Sequence, residues 1–237
     1  MLFGVLDTMA LWWFFTLWIG YTLYAKKQAN HGKSLSAVLH GYRFEWMKLM
    51  LGHENRVPDM ILLGNLTNMV NFLASTSILI IAGLVTVIYS ADNILELLTD
   101  HLFIARTTLE QVQFKLIVLT FIFVFAFFKF TWCMRQHTFC SILLGAAPFV
   151  PNKELTPDEL EFAKMAAKIS DRAGHEFNFG LRSYYFGLAF LSWFINPWFF
   201  MATTAVVVLI LYHREFKSTT LKYLMLSRES FDRGRKL

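Results

Sequence analysis

Few side chains in this sequence have the types and spacing needed for acid–base, nucleophilic or metal chemistry. The chain has seven histidines and two cysteines, with no HExxH segment or other zinc-ligand spacing. It also lacks the nucleophile elbow of serine hydrolases and a glycine-rich phosphate loop. Cys133 and Cys140 fit neither a zinc nor a redox motif. We therefore predict a protein that is not an enzyme and has no metal or cofactor.

Arginines offer clearer binding chemistry, because a guanidinium group can hold a phosphate or carboxylate through two parallel hydrogen bonds. The candidate residues all fall at predicted cytoplasmic helix ends, and they are Arg43, Trp46, Arg56, Arg135, Asn178 and Arg182. If they converge, they form a site for an anionic ligand or a lipid head group. The competing interpretation, which positive-inside bias favours, is that each pairs separately with a carboxylate or a lipid phosphate.

A second set of informative residues lies on one stripe of an apolar helix predicted from Pro58 to Ser90. At about 100° per residue, the stripe collects small and hydrogen-bonding side chains, with Asn65, Asn68, Phe72, Ser75, Leu79 and Thr86 as its candidate functional residues. Such stripes usually allow membrane helices to pack closely. The functional alternative is a pore wall, with a polar mouth of asparagines and an apolar constriction at Phe72 and Leu79.

Composition places these residues in a membrane protein. The chain is 56% hydrophobic and 16% charged, and a soluble domain of this length would carry more charge. Its long apolar runs lack the alternation of outer-membrane strands. We predict an all-α, polytopic transmembrane helix bundle that forms a single integral membrane domain over residues 1–237.

Five spans are predicted, at residues 2–24, 70–89, 109–132, 181–195 and 198–212. Lys26 and Lys27 follow the first span, and the C-terminal tail is strongly basic. By the positive-inside rule, the N-terminus is therefore outside and the C-terminus is cytoplasmic. The alternative is four spans, with residues 177–212 forming one long helix kinked at Asn196-Pro197.

Shorter helices are expected between the spans. Residues 34–52 form a basic amphipathic pattern typical of an interfacial cytoplasmic helix. Thr156, Pro157 and Glu159 predict the start of another cytoplasmic helix that extends to about residue 172. A surface helix is predicted within residues 94–103, and Thr107 with Glu110 is expected to cap the helix that follows.

Three segments of the sequence resemble a known family. They are NRVPDMILLGNLTNMVNFLASTSILIIAGL from Asn55, FFKFTWCMRQHTFCSILLGAAP from Phe127 and HEFNFGLRSYYFGLAFLSWFINPWFFMATTAVVVLILYHREFKS from His175. Together with LHGYRFEWMKLML, they resemble the bacterial membrane family catalogued as domain of unknown function 599. The resemblance covers most of the chain. It implies a bacterial inner-membrane protein, and it carries no established activity or catalytic residues.

Three functions remain open at this point, and the third, an intramembrane enzyme, is the least favoured because the sequence shows no activated nucleophile or metal-ligand set. The first is a homo-oligomeric channel or small transport protein that uses the polar stripe, since one five-span protomer is small for an alternating-access transporter. The second is a non-transporting scaffold or accessory subunit that docks partners on its cytoplasmic helices. The predicted partners are the lipid bilayer, anionic lipids at the cytoplasmic face and further copies of the chain, with no nucleic acid. The sequence names neither a substrate nor an oligomeric order.

Overall fold

The computed structural model describes residues 3–29, 34–90, 108–151 and 154–234. These residues form seven α-helices and one short 3₁₀ helix, Ser192–Phe194, with no strand among them. The α-helices are α1 (Val5–Ala29), α2 (Leu35–Leu51), α3 (Val57–Tyr89), α4 (Leu109–Ala146), α5 (Pro157–Leu191), α6 (Pro197–Phe216) and α7 (Thr219–Gly234). The predicted all-α class is confirmed for this part of the chain.

Side-chain caps fix where several helices begin. Ser34 accepts a hydrogen bond from the Ala37 amide at the start of α2. Thr156 and Glu159 form the predicted capping box of α5, with Pro157 at its first position. The box that opens α4 instead uses Thr108 and Gln111, one residue later than predicted. The predicted surface helix within residues 94–103 lies outside the described residues.

Helix α5 is one continuous helix of 35 residues, where the sequence predicted a cytoplasmic helix followed by a separate span. No proline interrupts residues 158–191, so the capped charged segment and the apolar segment share one backbone. Helix α4 is similarly long, with 38 residues, and it continues beyond the predicted span of residues 109–132 to Ala146, close to Leu144, where the GAAPFVP segment that follows can stop a helix. The two helices pack antiparallel along much of their lengths.

The chain reverses direction between α5 and α6. Asn196 caps α6 by accepting a hydrogen bond from the Phe199 amide at 2.7 Å, and Pro197 occupies the first helical position. The Ser192 and Thr203 hydroxyls lie 2.6 Å apart across the turn. Residues 177–212 therefore form two antiparallel helices in this structure, and not one kinked helix.

Aromatic side chains fill the core between α1, α4, α5 and α6. Its largest member, Trp193, is 1% exposed. Its indole N–H donates to Asp7 at 2.8 Å, and its backbone carbonyl accepts from the Lys115 ammonium at 2.9 Å. Buried charges need such partners, because leaving one unpaired costs several kcal/mol.

A second core lies at the other end of the bundle. It joins α2, the first turns of α3, the last turns of α4 and the first half of α5. Helix α2 packs along α5, and the backbone amide of Val150 donates to the Leu51 carbonyl at 2.9 Å. The bundle thus has one hydrophobic core at each end, and α3, α4 and α5 extend through both.

Three helical segments among the described residues are long and apolar enough to cross a membrane: Val57–Tyr89, Leu109–Ala146 and Pro197–Ser230. The last comprises α6 and most of α7. Helix α1 and the second half of α5, two of the five predicted spans, are not among the three.

Candidate functional site

The polar stripe of α3 lies on the side of the helix that faces away from the rest of the protomer. All six of its candidate functional residues are exposed, namely Asn65, Asn68, Phe72, Ser75, Leu79 and Thr86. Phe72 is 70% exposed and Leu79 is 72% exposed. Gly64 and Gly83 lie on the same stripe, and a Cβ added to either glycine would have no neighbouring atom within 4 Å. The protomer therefore leaves this whole face without a protein neighbour among the described residues.

The opposite face of α3 packs on α4. Val70 and Ala74 are buried against Phe130 and its neighbours. The Ser77 hydroxyl lies 2.9 Å from the Tyr184 hydroxyl of α5, which also bonds the Leu73 carbonyl. These contacts fix the rotation of α3 about its own axis. The fold of the protomer therefore directs the stripe outward.

The asparagines of the stripe have unmet hydrogen-bonding capacity. Asn65 and Asn68 form no side-chain hydrogen bond with the described residues, whereas Thr86 satisfies itself by bonding the Ala82 carbonyl at 3.0 Å. A lipid chain offers no hydrogen bond, so an amide at the membrane needs water or another protein group.

Four of the six residues in the predicted arginine cluster serve internal contacts and do not converge. Arg43 pairs with Asp171 at 2.8 Å. The Trp46 indole donates to buried Asp59 at 2.6 Å. Arg135 is exposed and stacks over the Phe139 ring.

Arg56 caps the C-terminal end of α4. Its guanidinium donates to the carbonyls of Leu144, Ala147 and Pro148 at 3.2, 2.6 and 2.6 Å. Carbonyls at a helix end lack intrahelical partners, and the partial negative charge there favours a cation. Arg56 thus holds the loop after α4 against α3.

The other two members of the cluster, Asn178 and Arg182, line a cavity of about 820 Å³. We call it the basic cavity. It lies where the end of α1, the start of α2, the middle of α5 and the end of α6 meet. Its walls also include Lys26, Ser36, His40, Asp171, Arg172, His175, Phe179 and Glu215.

Both acidic side chains of the basic cavity are engaged by the protein. The Glu215 carboxylate accepts from the Ser36 amide at 3.1 Å and from the Ser36 hydroxyl at 2.7 Å, at the N-terminal end of α2. Asp171 accepts from Arg43 and also contacts the His40 ring. These carboxylates tie α6 to α2 and α2 to α5.

The cations of the basic cavity are less engaged. Lys26, Arg172 and Arg182 form no ion pair within the described residues. Loss of hydration, followed by the positive charges of Arg43 and Arg182, lowers the pKa of His175 below its ordinary value. His175 is therefore neutral at neutral pH, and the three unpaired cations outnumber Glu215, the one carboxylate of the cavity without a cationic partner among the described residues.

Most of this cavity was not predicted from the sequence. The predicted cluster included Asn178 and Arg182 but not Lys26, Arg172 or His175. The available signal was the spacing of polar residues on α5, since positions 171, 175, 178 and 182 share one helical face. The spacing of residues could not show that Lys26 of α1 lines the cavity, because this depends on how the helices pack.

A family model for proteins of unknown function, DUF599, matches residues 9–220. The chain belongs to the DUF599 family. The resemblance inferred from its sequence segments is thereby confirmed. Family membership and the apolar helices suggest a membrane protein. No curated protein and no solved structure matches this DUF599 chain significantly.

Proposed function

We propose that this DUF599 protein is a homo-oligomeric channel or small transport protein in which the outer face of α3 meets other copies around the conduction path. The observation that carries the proposal is that all six candidate residues of the stripe are exposed, on the face opposite the α3–α4 contact. In a closed symmetric ring, the same face of every protomer can point to the axis. The asparagines then meet water or one another, and Phe72 with Leu79 narrows the path.

The proposed topology has five spans in a bacterial inner membrane, with the N-terminus outside and the C-terminus in the cytoplasm. Basic residues of α4 and α6 contact α5 between residues 176 and 185, next to the basic cavity, which supports this orientation. Lys129 of α4 pairs with Glu176 at 2.9 Å, and Arg214 of α6 donates to the Tyr185 hydroxyl at 2.6 Å. Basic residues at membrane helix ends favour the cytoplasmic side.

Cysteine labelling tests this orientation. We expect a membrane-impermeant maleimide to label Ser90→Cys at the end of α3 in intact cells, and to label Ser230→Cys on α7 only after permeabilisation. Both serines are exposed. The native cysteines, Cys133 and Cys140, are free but buried, so background labelling is low. The reverse labelling pattern would require an inverted topology.

Flux through reconstituted protein tests the conduction path. We expect Asn68→Leu and Ser75→Leu to reduce the flux of small ions into proteoliposomes, because each replaces a polar path-lining group with an apolar one. Both residues are exposed, so the protomer fold should be unaffected. Val85→Leu is the matched control, since Val85 is 40% exposed and lies off the stripe.

Stoichiometry by native mass spectrometry in a mild detergent completes this test. A single closed state of three or more copies, with flux reduced by the stripe variants only, supports the channel. A monomer without flux contradicts it and favours the scaffold or accessory subunit. Normal flux in both stripe variants excludes the stripe from the conduction path.

A further inference from the structure

We propose that the basic cavity binds the phosphate group of an anionic ligand at the cytoplasmic end of the bundle. The site is separate from the outer face of α3, because no residue of α3 lines it. The proposal goes beyond channel function, and it requires neither oligomerisation nor flux. The shared chemistry is a phosphate, which either a lipid head group or a soluble anion can supply.

The charge balance of the cavity favours an anion. The Asp171 carboxylate is paired with Arg43, and the Glu215 carboxylate, which accepts hydrogen bonds from Ser36, is a single negative charge facing three cations. Lys26, Arg172 and Arg182 have no carboxylate partner in the part of the chain that the structure describes. Three cations around one cavity repel one another, and a bound phosphate relieves that repulsion while accepting charge-assisted hydrogen bonds.

Arg182 is held in place without using its hydrogen-bond donors. Its guanidinium lies 5.2 Å from the centre of the Tyr21 ring and 5.9 Å from that of Phe179. Stacking on aromatic rings orients the planar group while its N–H donors stay available. An arginine ordered in this way loses less entropy on binding a phosphate than a freely rotating one does.

A smaller pocket with aromatic and aliphatic walls adjoins the basic cavity and shares Asn178, Arg182 and Glu215 with it. This second pocket has a volume of about 120 Å³, and its other walls are Tyr21, Leu35, Leu181, Tyr185, Leu211 and Arg214. A charged chamber next to an aromatic and aliphatic one suits an amphiphile, with its phosphate at Arg182 and the start of its chain between Leu181 and Leu211.

The test measures binding by native mass spectrometry of the delipidated full-length protein in a non-ionic detergent. One arm titrates short-chain phosphatidic acid, and the other titrates inorganic phosphate. Diacylglycerol of the same chain length controls for binding without phosphate. We expect phosphatidic acid to bind and Arg182→Gln to weaken binding by at least about tenfold, the effect of losing one charge-assisted contact.

Two further variants keep the result interpretable. Arg172→Gln removes an exposed cation that has no partner among the described residues, so this substitution should leave the fold intact. Because Arg172 lines the cavity, its loss should still weaken phosphate binding, even if Arg182→Gln unfolds the protein. Arg135→Gln is the matched control, because Arg135 is an exposed cation outside the cavity.

Binding in both arms identifies phosphate alone as sufficient, and binding of phosphatidic acid only identifies an amphiphile. Either result supports the site. The proposal is overturned if neither probe binds, or if diacylglycerol binds as well as phosphatidic acid. It also fails if Arg135→Gln weakens binding as much as the cavity variants do.

Discussion

Replacing Trp193 with alanine is expected to lower the free energy of unfolding by about 3 kcal/mol, the low end for a buried tryptophan. We expect the low end because lipid chains are nearly as apolar as a protein core, so moving the side chain out of the core changes the free energy little. The loss of stability then comes mainly from the packing contacts of the ring. The Trp193 ring stacks on Phe200 with centroids 5.3 Å apart and contacts Phe190 at 5.2 Å. The substitution also leaves Asp7 without its indole donor.

Unfolding of the purified protein in mixed micelles, followed by circular dichroism, measures this loss. Trp198→Ala is the matched control, because Trp198 is 67% exposed only five positions further along the chain. Trp193→Phe should fall between the two, since it keeps an aromatic ring and removes the hydrogen bond. Equal losses for the two tryptophan-to-alanine variants would contradict the role assigned to Trp193.

Gly180→Ala is expected to destabilise the protein by about 1–3 kcal/mol, the usual range for inserting a methyl group into a full core. A Cβ at position 180 would lie 2.5 Å from the nearest carbon of the Phe130 ring. That ring is completely buried and cannot swing into open space. The clash must instead separate α4 from α5, the most extensively packed pair of helices in the described structure.

The same micelle experiment compares this variant with Gly64→Ala. A Cβ at position 64 would have no atom within 4 Å, so alanine there should have no steric cost within the protomer and should gain up to about 1 kcal/mol of helix propensity. Opposite signs for the two substitutions are the expected result. Equal changes would mean that the α4–α5 contact tolerates a wider separation.

Local signals in the sequence predicted much of this fold. The Thr156 capping box and the Asn196-Pro197 helix start depend on residues adjacent in the chain, and the structure places both helices where these signals indicated. The uninterrupted join within α5 was missed, because the change from a charged to an apolar pattern suggested a boundary. A helix needs no break there, since hydrogen bonds within the backbone do not depend on side-chain polarity.

The candidate sites were less predictable, because which arginines converge depends on the rotation of each helix. Arg56 and Arg182 both fall at helix ends predicted from the sequence, yet Arg56 binds backbone carbonyls at the end of α4 and Arg182 lines a cavity within α5. For the α3 stripe, periodicity identified the members of one face. It could not specify whether that face pointed inward or outward, which the burial of Val70 and Ala74 on the opposite side establishes.

The one-sided attachment of α3 has an evolutionary consequence. Surface substitutions away from packed contacts usually change stability by no more than about 0.5 kcal/mol. Because the outer face of α3 touches no other described part of the protomer, mutations there that preserve helix propensity should be nearly neutral for folding. Selection can therefore change the binding partners of this face without a compensating gain of stability elsewhere in the protomer. Related chains can then differ in how they assemble while the fold of the protomer stays the same.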